Sequence, residues 1–171
     1  ELRPKVQRVL VTIGGGDPLG LTSQVVRWVE ETLTDVTVDV VVGPLAGDDS
    51  VQSSDRVTLH RSPGSMRDLM LGADLAIAAG GQTTYELAAT GTPAVIVTVA
   101  DNQVPQSRAW DAAGAMRYAG DARDGGLSEK ARAAIRALAG DSSLRRTCAD
   151  RGRALVDGRG ALRVAEAILA G

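Results

Sequence analysis

Three glycine-bearing or amide-bearing segments carry the residue types suited to gripping an anion. The first is Gly14-Gly15-Gly16-Asp17-Pro18-Leu19-Gly20, directly after the apolar run Val9-Leu10-Val11-Thr12-Ile13. Consecutive glycines let a backbone turn sharply, and a helix that follows offers unpaired N–H groups and the positive end of its dipole, a combination that suits phosphate. An ordinary tight turn has the same composition. Two phosphate motifs can be tested against it. A P-loop needs Gly-Lys-Ser/Thr, whereas here Gly20 is followed by Leu21-Thr22. A dinucleotide fingerprint needs G-x-G-x-x-G and an acidic residue ending the second strand. Gly14, Gly16 and Gly20 are spaced differently, that strand ends Val41-Val42-Gly43-Pro44, and Asp39 lies inside it. A nucleoside-triphosphatase is therefore excluded and an NAD-dependent oxidoreductase demoted.

The second segment is Ala79-Gly80-Gly81-Gln82-Thr83-Thr84-Tyr85-Glu86-Leu87, again glycines before a helix start. Two such cradles at one sheet edge would suit a diphosphate. Thr83 and Glu86 have the T-x-x-E spacing of a capping box, in which each side chain satisfies a free backbone N–H. In the first turn of a helix the same carboxylate is also placed to accept hydrogen bonds from ribose hydroxyls. The third segment, Val99-Ala100-Asp101-Asn102-Gln103, sets three polar side chains after a buried strand. One of them would serve as an N-cap, and amides suit sugar hydroxyls or phosphate oxygens. His60, the one histidine, ends the third strand at the same edge. Cys148, the one cysteine, falls in an apolar helical stripe and reads as core.

These segments are positioned by an alternation of β-branched apolar runs with stretches of helical period, which predicts a parallel sheet covered on both faces. The runs are residues 9–13, 36–42, 57–59, 75–78 and 94–97, with a weaker one at 116–118. Leu21, Val25, Val29 and Leu33 form one stripe of a helix after the first run, and short helices are expected near 65–72, 83–90 and 103–113. Beyond the polar break at 120–126 the strands stop. Three helices follow, around Ala131 to Leu138, Leu144 to Leu155 and Leu162 to Leu169, their charged residues read as solvated faces. In such a sheet ligands bind outside the carboxyl ends of the strands.

Composition narrows the function classes. The 171 residues make one domain, and 19 basic against 21 acidic residues give a net charge of −2, without the basic excess of a nucleic-acid or anionic-membrane binder. Aromatic residues are 2%, too few for single-strand stacking platforms. One cysteine and one histidine leave no Cys or His metal cluster and fit a reducing, cytoplasmic setting. No apolar run reaches the ~20 residues of a membrane span. The start at Glu1, without Met, reads as a piece of something longer.

Residues 8–120 resemble the carboxy-terminal half of the nucleotide-sugar hydrolases of pseudaminic acid biosynthesis and the related spore-coat polysaccharide proteins, and more widely one half of the GT-B glycosyltransferases. The likeness is carried by Val11-Thr12-Ile13-Gly14-Gly15-Gly16-Asp17-Pro18, Ala73-Asp74-Leu75, Gly80-Gly81-Gln82-Thr83-Thr84-Tyr85-Glu86, Gly91-Thr92-Pro93 and Ala100-Asp101-Asn102-Gln103, in that order. It implies a Rossmann-like doubly wound α/β sheet of five to six strands, one half of a GT-B fold, with extra C-terminal helices. It also implies UDP or a UDP-sugar as ligand. Gly14, Gly15 and Asp17, with Gly80, Gly81, Gln82 and Thr83, would lie at the phosphates, and Glu86 at the ribose hydroxyls. His60 and Met66 would flank the uracil, and Asn102 and Gln103 the diphosphate or sugar. Gln82 and Thr83 depart from the small hydroxyl residues common in relatives. The resemblance implies no metal or cofactor, and a catalytic base in a facing amino-terminal domain. This chain is then expected to bind UDP or a UDP-sugar without turning it over. A glycosyltransferase donor domain and a non-catalytic nucleotide-binding domain are the competing readings.

Overall fold

A computed structural model describes residues 2–17, 19–43 and 51–170; Pro18, quoted above for the resemblance, and Pro44, quoted as ending the second strand, lie outside them. Six strands, β1 (Arg8–Thr12), β2 (Thr37–Val42), β3 (Val57–Arg61), β4 (Leu75–Ala79), β5 (Ala94–Thr98) and β6 (Arg117–Asp121), form one sheet in the order β3-β2-β1-β4-β5-β6. Every pairing is parallel. The order reverses between β1 and β4, which places a switch point between those neighbours and opens a crevice beyond their carboxyl ends. The loops after β1 and β4 therefore leave the sheet side by side.

The central strands β1, β4 and β5 are buried on both faces, which is why they read as continuous apolar runs, whereas the edge strands β3 and β6 are only partly covered. Val9, Val11, Val38, Val40, Leu75, Ile77, Val95 and Val97 face one way, against α1 (Leu21–Thr32) and α5 (Leu127–Gly140). Leu10, Ala76, Ala78, Ala94 and Ile96 face the other, against α2 (Met66–Gly72), α3 (Thr83–Thr90) and α4 (Val104–Ala112). Small alanines on that second face let the helices approach closely. α6 (Ser142–Leu155) and α7 (Gly160–Leu169) close the chain.

Two expectations are corrected. Gly120 and Asp121 continue β6 instead of opening the polar break, because the ladder resumes past a register irregularity at Ile96/Val97 and pairs Asp121 with Thr98. Arg145 is not on a solvated face: it is fully buried. Its guanidinium donates to the carbonyls of Leu138 (2.7 Å), Ala139 (3.0 Å), Arg3 (2.8 Å) and Pro4 (2.7 Å), tying the end of α5 to the start of the chain. Cys148 is buried, and burial pushes its thiol up.

Candidate functional site

The loop after β4 is the most sharply defined element of the crevice. Gly80 is required there by packing: a Cβ would overlap the Ser107 hydroxyl and press Thr98 Cγ2 at 3.2 Å and Gln103 Cβ at 3.3 Å. Its N–H is spent on Val97 O (2.9 Å), which anchors the loop to β5. The carbonyls of Gly80 and Gly81 are held from behind by Gln106 of α4, whose Nε2 lies 3.3 and 3.1 Å from them and 2.8 Å from Thr84 Oγ1. Thr84, fully buried, donates to Gly81 O at 2.7 Å and accepts from Trp110 Nε1 at 3.1 Å. With the carbonyls turned inward, the opposite edge of the loop is N–H. Among the described residues none accepts a hydrogen bond from the N–H of Gly81, Gln82 or Thr83. Three unpaired donors thus stand at the positive end of α3, the geometry that binds phosphate.

The capping box does not form. α3 begins at Thr83 with Gln82 at its N-cap, and no side chain caps it. Thr83 is therefore inside the helix, one position too late to cap. Glu86 sits in the first turn, exposed, with no hydrogen bond or ion pair to its carboxylate among the described residues. It borders a groove of about 490 Å³ between α2 and α3, lined also by Met66, Met70, Leu71 and Arg153. Met66 and Glu86, expected near base and ribose, thus face one groove.

The loop after β1 is built differently. Gly14 has a φ of +104°, a conformation that favours glycine, and it and Gly15 are exposed. Their carbonyls press so closely on Gly43, after β2, that a Cβ there would overlap them. The start of α1, however, is already filled. Both oxygens of the Asp17 carboxylate are used, one accepting from Leu21 N and one from Thr22 N, each at 2.7 Å. The two helix starts differ in charge: α1 carries its own anion, whereas α3 is open.

His60 is half-buried in β3 with Nε2 2.6 Å from Asp39 Oδ1. Asp39 also takes both Nε and one terminal nitrogen of Arg8. Burial alone would raise the Asp39 carboxyl, but the hydrogen bonds from Arg8 and His60 outweigh it and hold the carboxyl below the usual carboxylate range. The protein itself thus engages His60 Nε2 within the outer strands. Asn102 and Gln103 lie in a 3-10 turn, Asp101–Gln103, that leads into α4. Gln103 Oε1 accepts from Val99 N–H at 3.0 Å, and its Nε2 points toward Gly81. Asn102 is exposed.

Sequence reasoning missed Gln106, Trp110 and Gly43. Gln106 stands one helical turn after Gln103, a spacing that puts both amides on one face of α4's start. Among the described residues no cluster of His, Cys, Asp or Glu could hold a metal ion, and no helix is long and apolar enough to cross a membrane.

No protein-family model matches the sequence. Among curated proteins, the chain is 29% identical over 108 residues to the pseudaminic acid cytidylyltransferase and UDP-2,4-diacetamido-2,4,6-trideoxy-β-L-altropyranose hydrolase of Helicobacter pylori, covering 63% of this chain and 20% of that protein. It is 28% identical over 101 residues to the uncharacterized protein MJ1062 of Methanocaldococcus jannaschii, covering 54% of this chain and 21% of that protein. The chain thus spans about a fifth of the length of these relatives. Among solved structures, the glycotransferase of kitacinnamycin superposes with a TM-score of 0.73 at 21% identity, over 98% of this chain and 44% of that one. A spinosyn rhamnosyltransferase complexed with thymidine diphosphate gives 0.72 at 22% identity, over 91% and 42%. A lipopolysaccharide glycosyltransferase, WaaG, gives 0.70 at 16%, over 93% and 45%. The six-stranded parallel sheet with its flanking helices is accordingly the Rossmann-like domain of the GT-B glycosyltransferase fold.

Proposed function

We propose that this domain binds the nucleoside diphosphate of a nucleotide sugar, UDP first among them, as the donor-binding half of a nucleotide-sugar hydrolase. The observation that carries the reading is the open start of α3: three unpaired N–H groups at a helix N-terminus, with an unpartnered carboxylate in the same first turn bordering a groove. The diphosphate sits on the N–H groups of Gly81, Gln82 and Thr83. Glu86 accepts from the ribose hydroxyls, and the base lies along the groove past Met66. Gly14 and Gly15 approach the phosphates through their exposed backbone, while Asp17 acts by holding α1.

In the hydrolytic reaction, water attacks the anomeric carbon, the C–O bond to the β-phosphate breaks, and charge gathers on the departing phosphate oxygen. The α3 dipole and its N–H groups stabilise that charge without reorganising. The base that takes a proton from water belongs to a facing half of the enzyme. α7 supports such a half, because none of its residues is buried and Leu162, Val164, Ile168 and Leu169 are all exposed. The H. pylori relative favours the hydrolase. A glycosyltransferase donor domain is the second reading, favoured by the solved structures of the same fold.

Calorimetry with UDP and thymidine diphosphate tests the reading. Saturable binding of UDP, tighter than thymidine diphosphate, is expected. No heat at millimolar ligand would refute it, and UDP release from a UDP-sugar by this chain alone would refute the assignment of the base elsewhere.

A further inference from the structure

We propose that Arg123 is a positioning residue: it braces the 3-10 turn so that Asn102 is presented to the sugar of the bound nucleotide, and it does not itself bind phosphate. This rests on the nucleotide-sugar reading above. An exposed arginine at the carboxyl edge of the sheet would ordinarily be taken for an anion ligand, but Nε and one of its two terminal nitrogens are committed to carboxylates of the protein itself. Nε lies 2.7 Å from Asp121 Oδ1 and one terminal nitrogen 2.9 Å from Asp121 Oδ2, a two-point grip, while that nitrogen also reaches Asp101. One cation shared by two carboxylates leaves the group with a net negative charge.

The grip is anchored at one end and free to hold at the other. Asp121, the last residue of β6, is nearly buried and also accepts from Thr98 Oγ1 at 3.1 Å. The Tyr118 hydroxyl lies 3.0 Å from the same Thr98 oxygen. Arg123 holds the Asp121 carboxyl far below the usual carboxylate range, so this end stays ionised. Asp101 at the other end is exposed, and it opens the turn whose last residue, Gln103, is pinned to Val99. The turn is thus held at both ends. Asn102 stands between them, exposed and without a hydrogen bond to its amide among the described residues, across from the Gly80-Gly81 loop that Gln103 touches.

The test compares wild type, Arg123→Ala and Asp101→Asn by calorimetry with UDP and with UDP-N-acetylglucosamine, and by amide hydrogen exchange of residues 101–104 in the free proteins. Both variants are expected to bind UDP within about twofold of wild type while the UDP-sugar affinity relative to UDP shifts about fivefold or more. Exchange through the turn should quicken about tenfold. Arg123→Lys, a single-point cation, should restore part of both effects. A loss of UDP affinity in Arg123→Ala greater than about fivefold would make Arg123 a phosphate ligand and overturn the proposal, as would unchanged exchange in both variants. If wild type binds neither ligand the nucleotide-sugar reading fails, and with it the role of Asn102, whereas the exchange comparison still decides the brace.

Discussion

Replacing Gly80 with alanine separates packing from backbone freedom at the cradle. Gly80 does not need a left-handed φ, so alanine can adopt its backbone, and the effect is steric. The added Cβ overlaps the Ser107 hydroxyl and meets Thr98 Cγ2 at 3.2 Å and Gln103 Cβ at 3.3 Å. Overpacking of this kind costs about 1–3 kcal/mol, offset by about 0.4–1 kcal/mol from the stiffer unfolded chain. A net loss of about 1–2 kcal/mol corresponds to a Tm lower by about 2–8 °C for a chain of this size. Ser107 is fully buried and its hydroxyl has no hydrogen-bond partner, so Ser107→Ala alone should be close to neutral. In the double variant the worst overlap disappears and the two tight contacts need only a shift of a few tenths of an ångström, so about 1 kcal/mol should return as coupling. Thermal and urea unfolding of the four proteins measures this, and UDP affinity should fall and recover in parallel as the Gly81 N–H moves and returns. A Gly80→Ala protein as stable as wild type, or a double variant showing the plain sum of the single effects, would refute the packing argument.

Asp17→Ala should cost about 1–2 kcal/mol of stability through loss of the α1 cap, with UDP affinity held or slightly raised because a nearby negative charge is gone. Weaker UDP binding at unchanged Tm would instead make Asp17 a ligand. Glu86→Ala should weaken UDP binding by about 1–3 kcal/mol and lower Tm only slightly, since its carboxylate makes no hydrogen bond or ion pair among the described residues and helps α3 only through its first-turn charge; the reverse pattern would restore a capping role. Asp157, gripped by Arg163 at 2.7 and 3.1 Å, has its carboxyl lowered to about 2. Its contribution at the start of α7 is complete above the ordinary carboxyl range near pH 4 and is lost as pH falls toward 2, so the Asp157 carboxyl carbon should titrate near 2 and return toward the ordinary range in Arg163→Gln.

The sheet was legible because strands buried on both faces must be continuously apolar, and α3 was legible to the residue because Gly80-Gly81 and Gly91 bracket it. What was hidden depends on distance along the chain. Nothing near Arg145 announces burial, since two of the carbonyls that satisfy it are 141 and 142 residues away. The inward-turned carbonyls of the cradle depend on Gln106, 25 and 26 positions on; its spacing from Gln103 puts it on the same helix face but says nothing of the distant carbonyls it meets. Asp17 could be read as one polar residue of a phosphate loop because its acceptors reach four and five residues ahead, past a glycine, beyond the usual capping spacing. The T-x-x-E pattern misled for the opposite reason: the spacing was present, but Gly81 and Gln82 already turn into the helix, leaving Thr83 inside it.

The decisive quantity is where the diphosphate sits. Titrating the isotopically labelled chain with UDP and following its backbone amides measures this directly. Binding at the open start of α3 predicts that the largest shifts fall on the N–H groups of Gly81, Gln82 and Thr83, with smaller ones at Gly14 and Gly15 and little change at Leu21 and Thr22, whose N–H groups Asp17 already holds. Shifts centred on Leu21 and Thr22, with Gly81 to Thr83 unmoved, would contradict it.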